Sequence, residues 1–148
     1  MQCAGSCSLS IATARNGEFF MSRSSPENHV PPPPAGSYSM TFEAAGFVFL
    51  AGQTPRDSNN VRHGDKPFSV QVRLALDNLD AAAATVGFSL RDAVKVNVYL
   101  KDPTRSGEFD AIYRKYVEPP YPARTLVQSN LIGFDVEVDA ILAVKKKI

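Results

Sequence analysis

The sequence predicts a two-layer α+β domain, in which two helices cover one face of a mixed β-sheet. Five stretches have strand character and two have the apolar spacing of a helix, in the order β-β-α-β-α-β-β. The chain has 148 residues, the length of a single domain with one core.

The first two strands are predicted to form a hairpin. Alternating residues from Met40 to Glu43 precede a break at Gly46, and the apolar run from Phe47 to Ala51 follows it. Gly52 and Pro55 end the second strand. The next stretch, "RDSNNVRHGD", has the composition of a polar loop.

The first helix is predicted to begin near Pro67 and to end at Gly87, which is placed to cap it. One side of this helix is apolar and the opposite side is polar, so the apolar side should lie on the sheet. The apolar positions are Phe68, Val72, Ala75, Leu76, Leu79, Ala83 and Val86.

The second half of the domain continues with a strand, a helix and two strands, predicted at about residues 93–102, 106–117, 124–129 and 135–144. In the first of these strands Val94, Val96 and Val98 should share one face. Because the helices can cover only one face of the sheet, apolar side chains on the second face indicate self-association.

Composition excludes several classes of function. The net charge is +1, which gives no electrostatic support for nucleic-acid binding. No apolar run approaches the roughly 20 residues that span a bilayer. The two cysteines, Cys3 and Cys7, have no second pair of ligands at zinc-site spacing, so we expect no metal and a reducing, cytoplasmic environment.

The N-terminal part of the chain differs from the rest. Residues 1–36 are predicted to be a disordered leader with a stiff polyproline segment at Pro31 to Pro34, and residues 37–148 form the domain. Arg15 and Arg23 leave a transit peptide open as an alternative, although Glu18 and Glu27 argue against it.

Familiar catalytic motifs are missing from the sequence: it has no GxSxG, P-loop, GxGxxG or HExxH pattern. His29 and His63 fall in polar surroundings and are predicted to be solvated surface residues. Arg124 and Glu137 remain as candidates, and they would meet if their strands paired as a hairpin. Periodicity alone equally allows a structural ion pair or two unrelated surface charges.

Four stretches occur in an order and spacing typical of one family: "FVFLAGQTP", "QVRLALDNLDAAAATVGFSLRDAVKVNVYLKD", "YPART" and "VEVDAI". Across about residues 37–144 the chain resembles the YjgF/RidA family of small enamine/imine deaminases, which also carry the older names L-PSP endoribonuclease and translation inhibitor. The resemblance implies a chorismate-mutase-like α+β unit that forms a homotrimer with a barrel-like centre.

The resemblance also implies a reaction that needs neither cofactor nor metal. The family hydrolyses reactive 2-imino and enamine acids to 2-oxo acids and ammonia at clefts between subunits. The arginine that grips the substrate carboxylate matches Arg124, and a fork of donors suits that role. The glutamate that positions or activates the attacking water matches Glu137.

Further positions are carried over from the family. Tyr38 matches a tyrosine that lines the neighbouring subunit's cleft, and the backbone of Leu126 matches a substrate-holding position. Ala51, Gly52 and Gln53 match the family's "SGQ", with an alanine in place of the serine. Tyr113 stands where the family has an asparagine.

These departures keep two alternatives open. The same cleft could bind a small 2-imino or 2-oxo carboxylate without turnover, as a binding trimer. A ribonuclease or translation inhibitor follows only from the family's older names, because the chain has no basic stripe and no aromatic stacking platform.

Overall fold

A computed structural model describes residue 26 and residues 28–145. The predicted order of elements and the two-layer α+β class are both confirmed. The elements are β1 (Thr41–Ala44), β2 (Phe47–Gln53), α1 (Phe68–Ala84), β3 (Ala93–Leu100), α2 (Ser106–Tyr113), β4 (Ala123–Gln128) and β5 (Val136–Ala143).

The five strands form one mixed sheet in the order β1-β2-β5-β3-β4. Only the β3/β4 pair is parallel, because α2 carries the chain back over the sheet between these two strands. β3 therefore lies between β4 and β5 and pairs with both of them. The hairpin that would have joined Arg124 to Glu137 is not formed, since each side of β3 is occupied by one of their strands.

The hydrophobic core lies between the helices and one face of the sheet. Helix α1 contributes Leu76 and Leu79, which are completely buried. The sheet residues that meet the helices are Val48, Leu50, Val96, Val98, Leu100, Val136, Val138, Ala140 and Leu142. Burial of this alternating set is what fixes which face of each strand points outward.

Two predicted details are wrong. Val94 does not share the buried face of Val96, because an irregularity between Ala93 and Lys95 leaves it 41% exposed. Helix α2 ends at residue 113 rather than 117, since the next residues form tight turns in which the Tyr116 amide donates to the carbonyl of the residue three positions earlier.

The face of the sheet away from the helices carries apolar side chains, as predicted. Phe42, Phe47, Phe49 and Val127 are 64%, 40%, 42% and 43% exposed. The aromatic residues lie on β1 and β2, with Phe42 directly opposite Phe49. These exposed apolar side chains lie on the outer strands of the sheet, with Asn97 and Asp139 hydrogen-bonded between them on the central strands.

The segment before β1 contacts the domain at several points. His29 Nε2 lies 2.6 Å from Asn78 Oδ1, and Pro32 is buried. Asn60 Nδ2 donates to the Pro33 carbonyl at 3.4 Å. His29 is therefore not the solvated residue predicted, while residues 1–25 of the predicted leader lie outside the described part of the chain.

Within the described part of the chain, neither helix is long and apolar enough to cross a membrane.

Candidate active site

Arg124 lies on β4 on the helix-covered face of the sheet, where it reaches α2. Its Nη1 donates to Asp110 Oδ1 at 2.8 Å, and its guanidinium carbon lies 5.0 Å from the centre of the Tyr113 ring. The hydrogen bond from Arg124 holds the pKa of Asp110 below its usual range. The guanidinium is thus fixed in place by a carboxylate and an aromatic ring.

This anchoring leaves donors available for a ligand. Only Nη1 of Arg124 has a hydrogen-bond partner among the described residues, so the other guanidinium nitrogens can bind a carboxylate. They face a cavity of about 340 Å³ lined by Asp110, Tyr113, Arg114, Tyr121, Pro122 and Arg124.

Tyr113 presents an unsatisfied hydroxyl beside this arginine. The hydroxyl oxygen is buried and has no hydrogen-bond partner among the described residues. Burial raises the pKa of Tyr113 to about 12, so the group remains a proton donor at neutral pH. Leu126 lies on the same sheet face as Arg124 and packs against the core with its side chain.

Glu137 lies on the opposite face of the sheet. At the second position of β5 it stands opposite Tyr99 of β3, while its neighbours Val136 and Val138 point into the core. Burial raises the pKa of Glu137, and the negative charge of Asp139 raises it further, against an opposing effect of Arg62 and Arg56. A carboxyl with a raised pKa is suited to accepting and returning a proton near neutrality.

Gly52 allows Glu137 to lie against the backbone of β2. A Cβ atom at Gly52 would clash with Glu137 Oε1 and would lie 3.3 Å from the carboxyl carbon. The β2/β5 register is irregular between Leu50 and Gln53, which is where this approach occurs. Glycine is needed at position 52 because a side chain there would overlap the observed Glu137 carboxyl, and not because the backbone φ is left-handed.

Glu137 lines a second cavity, which has a volume of about 430 Å³. Five of the eight predicted site residues meet at this cavity: Tyr38, Ala51, Gly52, Gln53 and Glu137. Gln53 is buried and its Nε2 donates to the Ala51 carbonyl at 3.3 Å. The Tyr38 hydroxyl accepts a hydrogen bond from the Ala35 amide at 3.1 Å.

The predicted residues thus form two groups within one chain. Arg124, Tyr113 and Leu126 belong to the helix-covered face, and Glu137 with the four residues around it belongs to the other cavity. Each group holds one of the two charged candidates, so neither cavity contains both.

Two arginines were missed by the sequence analysis. Arg56 and Arg62 line the same cavity as Glu137, in the loop predicted only as polar. The loop reverses at Asn60, whose φ of 67° is left-handed, and Arg56 and Arg62 form an antiparallel bridge. The signal was present in the sequence: asparagines that favour a turn stand midway between two arginines.

The loop of residues 54–63, named the arginine loop below, is held at several points. The amides of Asn59 and Val61 donate to Asp57 Oδ1, and His63 Nε2 lies 2.9 Å from Asp57 Oδ2. Buried Asn78 donates to the carbonyls of Thr54 and Arg56 at 3.1 and 2.8 Å. His63 is therefore paired, not freely solvated as predicted.

In residues 26 and 28–145, no three His, Cys, Asp or Glu side chains are grouped so that they could hold a metal ion.

Comparison with known proteins agrees with this geometry. The family model described as Endoribonuclease L-PSP matches residues 29–144. The chain belongs to this family, the YjgF/RidA family of the sequence resemblance. The match includes both cavities and begins at His29, the residue that contacts Asn78.

Individual relatives support the same family. The RutC family protein PH0854 of Pyrococcus horikoshii is 37% identical over 114 residues, which are 74% of this chain and 89% of that protein. The crystal structure of yeast Mmf1 is similar with a TM-score of 0.72 and 32% identity, covering 78% and 94% of the two chains. RidA from the Antarctic bacterium Psychrobacter sp. PAMC 21119 gives a TM-score of 0.70 and 29% identity, covering 76% and 93%.

Proposed function

We propose that the protein hydrolyses 2-imino and enamine acids of the 2-aminoacrylate type to 2-oxo acids and ammonia. The observation that carries this proposal is the presence of two complementary groups in each chain. One is Arg124, which is anchored and has free donors, and the other is Glu137, which is buried and has a raised pKa. Family membership supports the reaction class, and one solved relative is named RidA.

The proposed chemistry balances with water as the second reactant. Arg124 binds the substrate carboxylate, and Glu137 accepts a proton from the water whose oxygen attacks the C=N carbon. A carbinolamine forms, and Glu137 returns the proton to its nitrogen. The hydroxyl proton of the carbinolamine then passes through Glu137 to the nitrogen, and the C–N bond breaks as the C=O bond forms, which releases ammonia and leaves a 2-oxo acid. An enamine acid enters the same route after tautomerising to its imine, when a proton moves from the nitrogen to the terminal carbon. Positioning and modest acid–base assistance suffice for such a reactive substrate.

We further propose that three copies assemble around the open face of the sheet. Covering Phe42, Phe47, Phe49 and Val127 would remove a large apolar surface from water. The assembly would also bring the Arg124 cavity of one subunit to the Glu137 cavity of the next. Light scattering on the full chain measures this directly, with a mass of three chains as the expected result.

The reaction is tested with 2-iminopropionate generated in situ by an amino-acid oxidase. The wild type should accelerate 2-oxo acid and ammonia formation above the buffer rate, and Arg124→Ala and Glu137→Gln should each lose most of that acceleration. Arg73→Ala on the exposed side of α1 and Glu43→Gln on β1 are matched controls outside both cavities. A wild type no faster than buffer would exclude the deaminase function.

Binding without turnover is the second candidate function. Ala51 supplies no hydroxyl in the Glu137 cavity, and Tyr113 places a bulky ring beside Arg124. Ammonia release from the imine separates the two functions, because a binding protein would give heat of binding with 2-oxo acids but would release no ammonia from the imine above the buffer rate.

Endoribonuclease activity, named in the family description, is tested by RNA cleavage with Glu137→Gln as the control. The formal net charge of +1 gives little attraction for RNA, so we expect no cleavage above that of the variant.

We propose a cytoplasmic location. The alternative is organellar import, since one relative is named "Protein MMF1, mitochondrial". A fluorescent fusion of the full chain, compared with one that lacks residues 1–25, distinguishes the two locations.

A further inference from the structure

The arginine loop brings two positive charges into the Glu137 cavity that the proposed reaction does not use. Arg56 and Arg62 both line this cavity, and the only other charged residue in its lining is Glu137. The lining therefore carries two cations and one anion, an excess of one positive charge. A cavity of this kind attracts an anionic group beyond the one that Arg124 would hold.

Arg56 is incompletely satisfied. Its Nη1 donates to Asn60 Oδ1 at 3.0 Å, but its Nε is buried and has no hydrogen-bond partner among the described residues. The described carboxylates include none that forms an ion pair with Arg56. Arg56 therefore brings a positive charge without an ionic partner to the cavity, and a bound carboxylate would neutralise that charge.

Arg62 is held next to Arg56 by a different set of contacts. Its guanidinium carbon lies 4.4 Å from the centre of the Phe134 ring, and its Nη1 donates to the Ile132 carbonyl at 3.2 Å. Neither contact neutralises the charge. Burial lowers the pKa of Arg62, and the positive charge of neighbouring Arg56 lowers it further, against an opposing effect of Glu137.

The fold holds this arrangement in place. Asn78 fixes the first half of the arginine loop through the carbonyls of Thr54 and Arg56. Just after the loop, Gln71 Nε2 donates to the carbonyls of Gly64 and Lys66 at 3.2 and 2.8 Å. Both side chains belong to α1 and are buried, so the backbone at each end of the arginine loop is held from the core.

We propose that the substrate is a 2-imino dicarboxylate, whose second carboxylate is bound by Arg56 and Arg62 while its imine carbon lies at Glu137. This inference rests on the proposed function and names the substrate class of the same site. An acidic side chain would neutralise the excess charge of the cavity and give Arg56 an anionic partner. A cavity of about 430 Å³ is within the range that holds small ligands.

A matched pair of ligands tests the preference without any turnover. 2-Oxoglutarate and 2-oxopentanoate have the same chain length and differ in the terminal carboxylate. Calorimetry should show at least about tenfold tighter binding of 2-oxoglutarate by the wild type. Arg56→Met and Arg62→Met should each remove most of that difference, while binding of 2-oxopentanoate changes by less than about threefold.

Controls separate charge from folding. Arg73→Met removes an exposed arginine of α1 and should keep the wild-type preference. Arg56→Lys restores the charge without the planar fork and should recover part of the affinity. Thermal midpoints are measured for each variant. If Arg56→Met does not fold, Arg62→Met is sufficient for the test, because Arg62 is exposed and its replacement should leave the fold intact.

Turnover is then measured at about pH 8, where the substrate carboxyl groups are ionised. The imines of glutamate and norvaline are generated by an oxidase that accepts both. Preferential hydrolysis of the dicarboxylic imine, lost in Arg56→Met, supports the inference.

Equal binding and equal hydrolysis of the two ligands would overturn the inference but leave the deaminase function intact. Selective 2-oxoglutarate binding without hydrolysis of either imine would support the dicarboxylate site and exclude the deaminase. The two failures are therefore distinguishable.

Discussion

Arg124 and Glu137 project from opposite faces of the same sheet. Arg124 of β4 stands beside Val96 of β3, a core residue under the helices, whereas Glu137 of β5 stands beside Tyr99, on the other face. Directly paired residues share a face, so the sheet itself separates the two candidates. One substrate can contact both only if they come from different subunits.

This separation predicts complementation between two inactive variants. When Arg124→Ala and Glu137→Gln chains are co-expressed in equal amounts and assemble randomly into trimers, about three quarters of the trimers are mixed. Each mixed trimer has a single interface with both an intact arginine and an intact glutamate, so activity should recover to about a quarter of the wild type.

The measurement is imine hydrolysis by the co-purified mixture, with the two variants mixed after separate purification as the control for subunit exchange. Recovery no higher than the two variants alone would mean that Arg124 and Glu137 do not act together across a subunit interface.

The space at Gly52 predicts a second outcome. Gly52→Ala places a methyl group where Glu137 Oε1 lies, so the carboxyl must move. We expect kcat/KM to fall by at least about tenfold, because small displacements of a reacting group are costly. Stability should change by no more than about 1 kcal/mol, since the Glu137 side chain can rotate away.

Gly107→Ala is the matched control for Gly52→Ala. A Cβ at Gly107 meets no described atom within 4 Å, and the residue lies in α2. This variant should be stabilised by about 0.5–1 kcal/mol in urea unfolding with unchanged kcat/KM. Unchanged activity of Gly52→Ala would show that Glu137 does not act from its observed position.

Sequence periodicity accounts for most of the fold. Burial makes apolar residues repeat every two positions in a strand and every 3.6 positions in a helix. The strands were therefore predictable, and so was helix α1, whose apolar side includes Phe68, Leu76 and Leu79. The prediction for Val94 was wrong because an irregularity in strand register does not change the alternation of residue types in the sequence. The pairing of β4 with β3 could not be predicted either, since periodicity does not specify which strand pairs with which.

The site was less predictable than the fold. Family resemblance pointed to Arg124 and Glu137, but their distribution over two faces follows from strand order, which only the structure gives. Arg56 and Arg62 were overlooked because a polar loop of this composition is usually a solvated connection. Their inward placement depends on Asn78, whose long-range bonds to the arginine loop have no local signature.

The raised pKa of Glu137 makes a prediction about stability and pH. The folded state holds a proton on Glu137 more firmly than the unfolded chain does, so the contribution is most favourable at low pH and is lost as pH rises through the raised pKa. Glu137→Gln removes this loss of stability at higher pH, because a glutamine side chain does not ionise. The variant should therefore exceed the wild type in free energy of unfolding at pH 7, with a smaller difference near pH 4.

Urea unfolding at the two pH values measures the Glu137 effect, and Glu43→Gln on β1 is the control. A Glu137→Gln protein that is less stable than wild type at pH 7 would contradict the prediction, because it would mean that the ionised carboxylate is stabilised in the folded state.

The neighbours of Glu137 predict how activity depends on pH. Glu137 can accept a proton from water only when ionised, so kcat/KM should fall as pH drops through its raised pKa. Asp139→Asn removes a charge that raises this pKa and should move the acidic limb to lower pH. Arg62→Met removes a charge that lowers it and should move the limb to higher pH.

The shifts of the acidic limb are read from pH profiles of 2-iminopropionate hydrolysis after subtraction of the buffer rate at each pH. The substrate's own ionisation is the same in all variants, so only differences between variants are interpreted. Coincident limbs in all three proteins would assign the proton transfer to another group.

The unsatisfied hydroxyl of Tyr113 gives the last prediction. Tyr113→Phe removes a buried donor that has no partner among the described residues, so the folded chain should lose no stability and gain up to about 1 kcal/mol. With its pKa at about 12 the hydroxyl is a donor at neutral pH, and Tyr113 belongs to the lining of the cavity where Arg124 would hold the substrate. If the substrate is its partner, kcat/KM should fall by about tenfold.

Stability by urea unfolding and kcat/KM for 2-iminopropionate are measured on the same preparations of the Tyr113→Phe variant. Tyr121→Phe is the matched control, because Tyr121 lines the same cavity but is 56% exposed, so its hydroxyl can bond to water. A stable Tyr113→Phe protein with wild-type kcat/KM would remove the hydroxyl from the site. A marked loss of stability would instead mean that the hydroxyl bonds to a neighbouring subunit, since the isolated chain offers it no acceptor among the described residues.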